Sequence, residues 1–173
     1  MSDIDKRGER SPREGADDLW REFNNTARDG AQAPAAVVRI AEDCQELKRF
    51  VGEALEEKFG EMPVLDDDGD FVLSHMGQAV WVRAHPNSPA ISISARVAHG
   101  VYSRRASEVE IGILNRRGYF VKWSLRERDI WQEIDMVAIP FVPNHLSNLI
   151  DVFFGAMSAN RDDLAYRTGA KVG

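Results

Sequence analysis

The stretch that decides the fold is "QAVWVRAHPNSPAISISARV", residues 78–97. Apolar and polar side chains alternate without a break from residue 91 to residue 97. Successive side chains of a β-strand point to opposite faces, so this alternation predicts a strand with one buried and one solvated face. A second strand is predicted over residues 79–85. Only the short segment 86–89, Pro-Asn-Ser-Pro, separates the two, which predicts an antiparallel pair.

The same patterns extend outward to five strands and three helices. Strands are predicted over 71–76, 79–85, 91–97, 119–125 and 130–139, and helices over 37–59, 107–117 and 144–164. The segment 107–117 also alternates like a strand, but Ser107 followed by Glu110 is typical of a helix start, and Gly118 of a helix end. The predicted order is α-β-β-β-α-β-β-α. Because strands and helices are grouped, the predicted fold class is α+β, an antiparallel five-stranded sheet with helices on one face.

The first 34 residues have the composition of a tail. They are rich in charge, glycine, proline and alanine, which predicts a flexible polar segment. A short helical motif is expected near residues 17–27, where Leu19, Trp20 and Phe23 could share one helix face. This motif could dock on its own domain or act as a short linear motif for a partner.

Length and charge suit a single domain with tails. Of the 173 residues, 35–165 are expected to form one α+β domain and 166–173 a C-terminal tail. The net charge of -6 disfavours non-specific binding to nucleic acid or to anionic membranes. The single cysteine rules out an internal disulfide and fits a reducing compartment. Since the N-terminal residues lack the apolar core of a signal peptide, a cytoplasmic location is expected.

Four aspartates surround Gly69 directly before the first predicted strand. If this were an EF-hand loop with Gly69 at its sixth position, Val64 would take the first ligand position. His75 would take the twelfth, which requires a bidentate glutamate. Calcium binding is therefore not expected. The aspartates are interpreted as a charged turn that leads into the strand and discourages strand-to-strand aggregation.

The rest of the sequence carries no recognisable catalytic or cofactor motif. Its four histidines lack the spacing of a zinc site, and no phosphate-binding loop, dinucleotide fingerprint or nucleophile elbow occurs. The expectation is a protein without enzymatic activity, metal or cofactor. An enzyme with a dispersed site built on His75, His85 and Asp70 is the alternative from a different class.

Tryptophan and arginine on the predicted strands point to binding. Trp81 and Arg83 alternate with valines, and Trp123 and Trp131 lie on the last two strands, so both sheet faces are expected to carry apolar residues. These residues could be ordinary core, or they could line a groove or exposed sheet face for a peptide, where Trp and Arg are favoured anchors. The candidate partner-binding residues are Trp81, Arg83, Trp123 and Trp131 on the sheet, and Leu19, Trp20 and Phe23 in the tail.

Paired arginines flank the middle helix, at 104–105 and at 116–117. They could form an ordinary solvated face or a basic rim for an acidic peptide. The base-reading and stacking signatures of nucleic-acid-binding proteins are missing, so a nucleic-acid partner is not expected.

Four segments carry a family resemblance. They are "DDDGDFVL" (66–73), "QAVWVRAH" (78–85), "ILNRRGYFVKW" (113–123) and "IPFVPNHLSNLIDVFFGAM" (139–157). Over about residues 36–160 the chain resembles the YbjN-like proteins, a group related in fold to type III secretion chaperones of the CesT/Tir type. The short middle helix with its Gly112 departs from the usual pattern.

The resemblance implies a small cytoplasmic α+β protein that is not an enzyme and binds a peptide segment of another protein as a chaperone or adaptor. Secretion chaperones of this fold commonly dimerise, so a homodimer is also implied. The family supplies no functional residue to carry over to this chain. The alternative function is a regulatory or structural subunit that contacts its partner through the N-terminal tail motif.

Overall fold

The computed structural model describes residues 37–173. The helical motif predicted near 17–27, with Leu19, Trp20 and Phe23, lies outside the described residues. The helices are α1 (Cys44–Phe59), α2 (Arg104–Arg117) and α3 (Pro143–Thr168). The strands are β1 (Val64–Leu65), β2 (Phe71–His75), β3 (Gln78–Ala84), β4 (Ala90–His99), β5 (Lys122–Arg126), β6 (Asp129–Val137) and β7 (Lys171–Val172).

The strands form one antiparallel sheet in the order β1-β2-β3-β4-β6-β5, and β7 pairs with the end of β4. The α+β class and the antiparallel sheet are therefore confirmed. The predicted count of five strands is wrong, because the described residues form seven. The two missed strands, β1 and β7, have two residues each, which is too short to show any periodic pattern.

The first helix is shorter than predicted. It begins after Asp43, whose side chain accepts a hydrogen bond from a backbone N–H of the first turn at 2.8 Å. This is a usual N-cap arrangement. The residues before it are not helical, because Arg39 and Phe141 exchange two backbone hydrogen bonds. Val37 and Ile40, which fall within the predicted helix over 37–59, are exposed.

The segment 107–117, whose sequence fits both a strand and a helix, is helical as predicted. The helix begins earlier than predicted. Ser103 rather than Ser107 is the N-cap, and its Oγ accepts from the Ala106 backbone N–H at 3.3 Å. Ser107 is fully buried and donates its hydroxyl to the Ser103 carbonyl at 2.8 Å. In the sequence, Ser103 and Ser107 both fit the N-cap position. The burial of Ser107 in the structure leaves Ser103 as the N-cap.

The C-terminal residues are part of the fold. Helix α3 has 26 residues and runs to Thr168, beyond the predicted end, and Gly169 stops it with a φ of 65°. Residues Lys171 and Val172 then pair with the end of β4. The prediction of a tail over 166–173 is corrected accordingly. Within residues 37–173, no helix combines the length and the apolar character that crossing a membrane requires.

The core lies between the helices and one face of the sheet. It contains buried side chains from alternate positions of the central strands, together with the inner face of α3. Examples are Val80, Val82, Ile91, Ile93, Ile130 and Ile134 from the strands, and Leu146, Ile150 and Phe153 from the helix. The intervening strand residues stay partly or fully exposed, so the described helices leave their face uncovered. This face, called the open face below, carries Trp81, Arg83, Ser92, Ser94, Arg96, Trp131 and Glu133.

One asparagine occupies the free edge of β5. Asn115 of α2 accepts a hydrogen bond from the Trp123 backbone N–H at 2.8 Å and donates one to the Trp123 carbonyl at 2.9 Å. Its amide thus makes the two bonds that a further strand would make at this position. Free strand edges otherwise invite pairing with another chain. Asn115 therefore protects this edge while it ties α2 to the sheet.

We expect Asn115→Ala to lower the free energy of unfolding by about 1–3 kcal/mol, because it leaves a backbone donor and acceptor without protein partners. Chemical denaturation followed by circular dichroism measures the change. Asn160→Ala is the matched control, since the Asn160 amide donates only to the Ala156 carbonyl of its own helix. We expect the control to change the free energy of unfolding by less than about 0.5 kcal/mol. Equal losses in both variants would contradict the role of Asn115 at the edge.

Candidate functional site

The register of three neighbouring strands fixes the centre of the open face. Trp81 on β3 lies opposite Ser94 on β4, which lies opposite Glu133 on β6. Two residues along β4, Arg96 pairs with Trp131. Because Ser94 is small, the two indoles meet across the central strand, with ring centroids 6.0 Å apart and planes inclined by 36°. The prediction that Trp81 alternates with its valine neighbours is confirmed by this register, and Trp131 lies on the same sheet face as Trp81.

An open cleft of about 570 Å³ lies on this part of the open face. Both tryptophans line it together with Ser92 and Ser94. The aspartate turn before β2 borders it on one side of the sheet, and Arg126 with Glu133 on the other. Its volume lies in the range of ligand-binding clefts. The small serines and the large indoles together make a trough on the open face.

Arg126 holds the ring of Trp131 in place. Its guanidinium carbon lies 5.0 Å from the ring centroid, and the guanidinium pairs with Glu133. Glu133 also accepts a hydrogen bond from the Ser124 hydroxyl at 3.2 Å. A cation–π contact at such a partly exposed place contributes about 0.5–1 kcal/mol. Trp131 is thus fixed from one side and remains partly exposed to the cleft.

Arg83 is held by a buried carboxylate. Its Nε donates to Asp70 Oδ2 at 2.7 Å, and its Nη2 lies 2.6 Å from the same oxygen. Asp70 is only 7% exposed, so this charged pair replaces the water that the carboxylate loses. The hydrogen bond and the charge of Asp70 raise the pKa of Arg83, and the charges of Asp68 and Asp66 raise it further, against the effect of burial. Arg83 is therefore a fixed positive group beside Trp81.

The pairing of Asp70 with Arg83 was missed at the level of sequence. The two residues lie next to each other because Phe71 pairs with Val82 in the β2–β3 hairpin. In the sequence, Asp70 is one of four aspartates that fit a solvated turn. Only the register of the hairpin indicates that Asp70, the last of the four, lies beside Arg83.

The other aspartates form the predicted charged turn. Asp66 Oδ1 accepts hydrogen bonds from the backbone N–H groups of Asp68 and Asp70, at 3.1 and 2.8 Å. Gly69 has a φ of 81°, in the left-handed region that favours glycine. In the part of the chain that the structure describes, no three His, Cys, Asp or Glu residues are grouped so as to hold a metal ion.

Of the three residues of the dispersed-site alternative, Asp70 and His85 both line the cleft, whereas His75 lies apart from them. His75 pairs with the first residue of β3 and His85 follows the last, so the length of the strand, about 20 Å, separates them. His75 stacks on Phe154 with ring centroids 4.1 Å apart. His85 hydrogen-bonds with Ser92 at 2.6 Å on the open face. Asp70 is engaged by Arg83.

Trp123 lies apart from the other sheet candidates. It is 5% exposed and belongs to the core on the helix-covered face. Val121 is buried as well, whereas Phe120 and Lys122 are exposed, so Trp123 and Val121 lie on the covered side. The structure brings together Trp81, Arg83 and Trp131, and we leave Trp123 out of the candidate surface.

Comparison with known proteins yields a family and a fold. The family model TY-Chap1, described as "T3SS (YopN, CesT) and YbjN peptide-binding chaperone 1", matches residues 45–172. The Yersinia pestis type III secretion chaperone SycH, in complex with a stable fragment of YscM2, is similar with a TM-score of 0.50 and 10% identity, over 65% of this chain and 98% of the matched chain. The ExsC–ExsE complex is similar with a TM-score of 0.49 and 16% identity, over 64% and 90%. No curated protein matches the chain.

Proposed function

The chain belongs to the TY-Chap1 family of peptide-binding chaperones, and we propose that the peptide it holds lies on the open face of its sheet. One observation carries this proposal. Trp81 and Trp131 meet in a cleft and stay partly exposed on the face of the sheet that the described helices do not cover. Tryptophan is among the residues most enriched at binding hot spots. The two rings can cover an apolar side chain of a bound segment, while Arg83 offers a charged hydrogen-bond donor beside them.

The sheet edges favour binding on the face over addition of a strand. On one edge, Asn115 already bonds to the backbone of Trp123 in the middle of β5. On the other edge, β1 has only two residues, Val64 and Leu65, and offers few backbone groups to a partner. A segment that lies on the open face instead gains its affinity from side-chain contacts.

We propose that the chain binds without catalysis. The two arginines along the cleft are already engaged, Arg83 by Asp70 and Arg126 by Glu133. Such an arrangement can orient and shield a segment. The homodimer, the cytoplasmic location and the flexible tail over residues 1–34 stay predictions.

The tail motif gives a second candidate function. Leu19, Trp20 and Phe23 are large apolar residues in a segment that is otherwise rich in charge. In this alternative the chain is a regulatory or structural subunit, and residues 17–27 make the contact with its partner. Removing residues 1–30 separates the two functions, because the deletion leaves Trp81 and Trp131 in place.

A peptide selection tests the proposed function. A phage-displayed library of short random peptides is selected on the intact chain, and the enriched peptides are synthesised and titrated against the intact chain and against the form without residues 1–30. We expect both forms to bind with the same affinity. Binding that disappears with residues 1–30, in a protein whose thermal unfolding is unchanged, would favour the tail motif instead.

A further inference from the structure

The basic and acidic groups of the open face are unevenly paired. Each basic side chain on this face or at its border has an acidic partner: Arg83 with Asp70, Arg96 with Asp129, Lys122 with Asp135 and Arg126 with Glu133. Two aspartates of the turn, Asp66 and Asp68, also line the cleft. Within residues 37–173, neither forms an ion pair, although Lys48 of α1 approaches Gly69 between them and Asp70. Negative charge is therefore in excess at the aspartate side of the cleft.

The geometry of the turn keeps part of this charge available. Asp66 uses Oδ1 to accept the two backbone N–H groups of the turn, which leaves Oδ2 for another donor. The influence of both aspartates extends into the cleft, since they contribute to the raised pKa of Arg83 after the larger contribution of Asp70. A group that lies between this turn and Trp81 would feel both carboxylates.

On the opposite side of the cleft, a guanidinium contacts both an indole and a carboxylate. There, Trp131 is covered by a guanidinium, that of Arg126, which also pairs with the carboxylate of Glu133. Trp81 with Asp66 and Asp68 is a similar set of an indole and carboxylates. Within the described residues, no cation lies over the Trp81 ring. This second set therefore lacks a guanidinium stacked on its indole, because the guanidinium of Arg83 is held by Asp70.

We propose that the segment bound on the open face carries an arginine, which pairs with Asp66 and Asp68 and stacks on Trp81. This inference rests on the proposed function. Arginine suits this place better than lysine, because its planar guanidinium forms paired hydrogen bonds with carboxylates and stacks on aromatic rings. The exposed arginines of α2, at 104–105 and 116–117, do not line this cleft. The basic rim that they could form for an acidic peptide is therefore a separate surface.

The test combines the peptides enriched on the intact chain with matched aspartate variants. We expect the enriched peptides to contain arginine more often than glutamate or aspartate. The double variant Asp66→Asn with Asp68→Asn should bind them about tenfold or more weakly, as the loss of charge-assisted hydrogen bonds predicts. Asparagine retains a side-chain oxygen, so the hydrogen bonds to Asp66 Oδ1 are preserved in the variant. Replacing the arginine of the peptide by glutamine should weaken binding to the intact chain similarly.

Asp67→Asn is the matched control. Asp67 belongs to the same turn but does not line the cleft, so its variant should bind the arginine peptides as the intact chain does. Enrichment of acidic peptides, or equal binding to the double variant and to the control, would overturn the arginine inference. The proposed function would still stand if binding required Trp81 and Trp131. Binding that is independent of both tryptophans would overturn the proposed function and the arginine inference together.

Discussion

Trp123→Ala is expected to lower the free energy of unfolding by about 3–5 kcal/mol, because it leaves a cavity in the core. Trp123 is 5% exposed and packs on the helix-covered face of β5, where Asn115 also bonds to its backbone. The surrounding strand and helices are tied in place, so the site can collapse only in part. Chemical denaturation of the variant and of the intact chain measures the difference.

Two further variants serve as controls for this result. Trp123→Phe keeps an aromatic ring in the same place and should lose much less stability than Trp123→Ala. Trp131→Ala removes an indole of equal size from the open face, where it is only partly buried, and should cost about 1 kcal/mol. A larger loss for Trp131→Ala than for Trp123→Ala would contradict the assignment of the two sheet faces.

Alanine at both Trp81 and Trp131 is expected to weaken binding of the selected peptides by about a hundredfold or more. Each hot-spot tryptophan contributes about 2 kcal/mol or more to the binding free energy, and these two contact each other in one cleft. Each single variant should weaken binding by at least about tenfold. Fluorescence anisotropy of labelled peptides measures the affinities, and thermal unfolding verifies that each variant is folded.

Tyr166→Ala is the matched control for the two tryptophans. Tyr166 is 87% exposed on α3, so it is a large aromatic side chain in contact with solvent and outside the cleft. Its variant should bind the peptides with the affinity of the intact chain. An equal loss of binding in Tyr166→Ala and in the double tryptophan variant would mean that exposed aromatic surface in general, rather than the open face, binds the peptides.

The central strands could be predicted from the sequence because their side chains obey one simple constraint. On β4 buried and solvated side chains alternate from Ile91 to Val97, and no other regular structure accommodates that pattern. The same reasoning separated Trp81 from Val80 and Val82. The family resemblance, drawn from segments of the same strands and helices, is confirmed by the family match.

The sequence does not show which side chains of a strand face the core when both alternating sets of side chains are apolar. Before and within β5, Phe120, Val121 and Trp123 give aromatic or aliphatic side chains on either side. The pairing of Trp123 with Gln132, which is itself fully buried, decides that Trp123 points to the helices. Such a pairing depends on a neighbour elsewhere in the chain, so the sequence of the strand itself does not contain it.

Backbone hydrogen bonds between residues far apart in the sequence explain the other differences between the predicted and the observed elements. Val37 and Ile40 fit a helical spacing, but Arg39 bonds to Phe141 and holds this segment extended. The strand β7 likewise exists only because the end of β4 pairs with it. In both places a residue far away in the sequence forms the backbone hydrogen bonds. The local sequence pattern contains no information about that residue.

The most direct test of the open face as the binding site uses the four tryptophans of the chain, at positions 20, 81, 123 and 131. Each indole N–H gives one cross-peak in a two-dimensional ¹H–¹⁵N spectrum, and single Trp→Phe variants assign them. When a selected peptide is titrated into the intact chain, we predict that the signals of Trp81 and Trp131 shift while those of Trp20 and Trp123 stay. Shifts of Trp20 or Trp123, with Trp81 and Trp131 unchanged, would contradict the account.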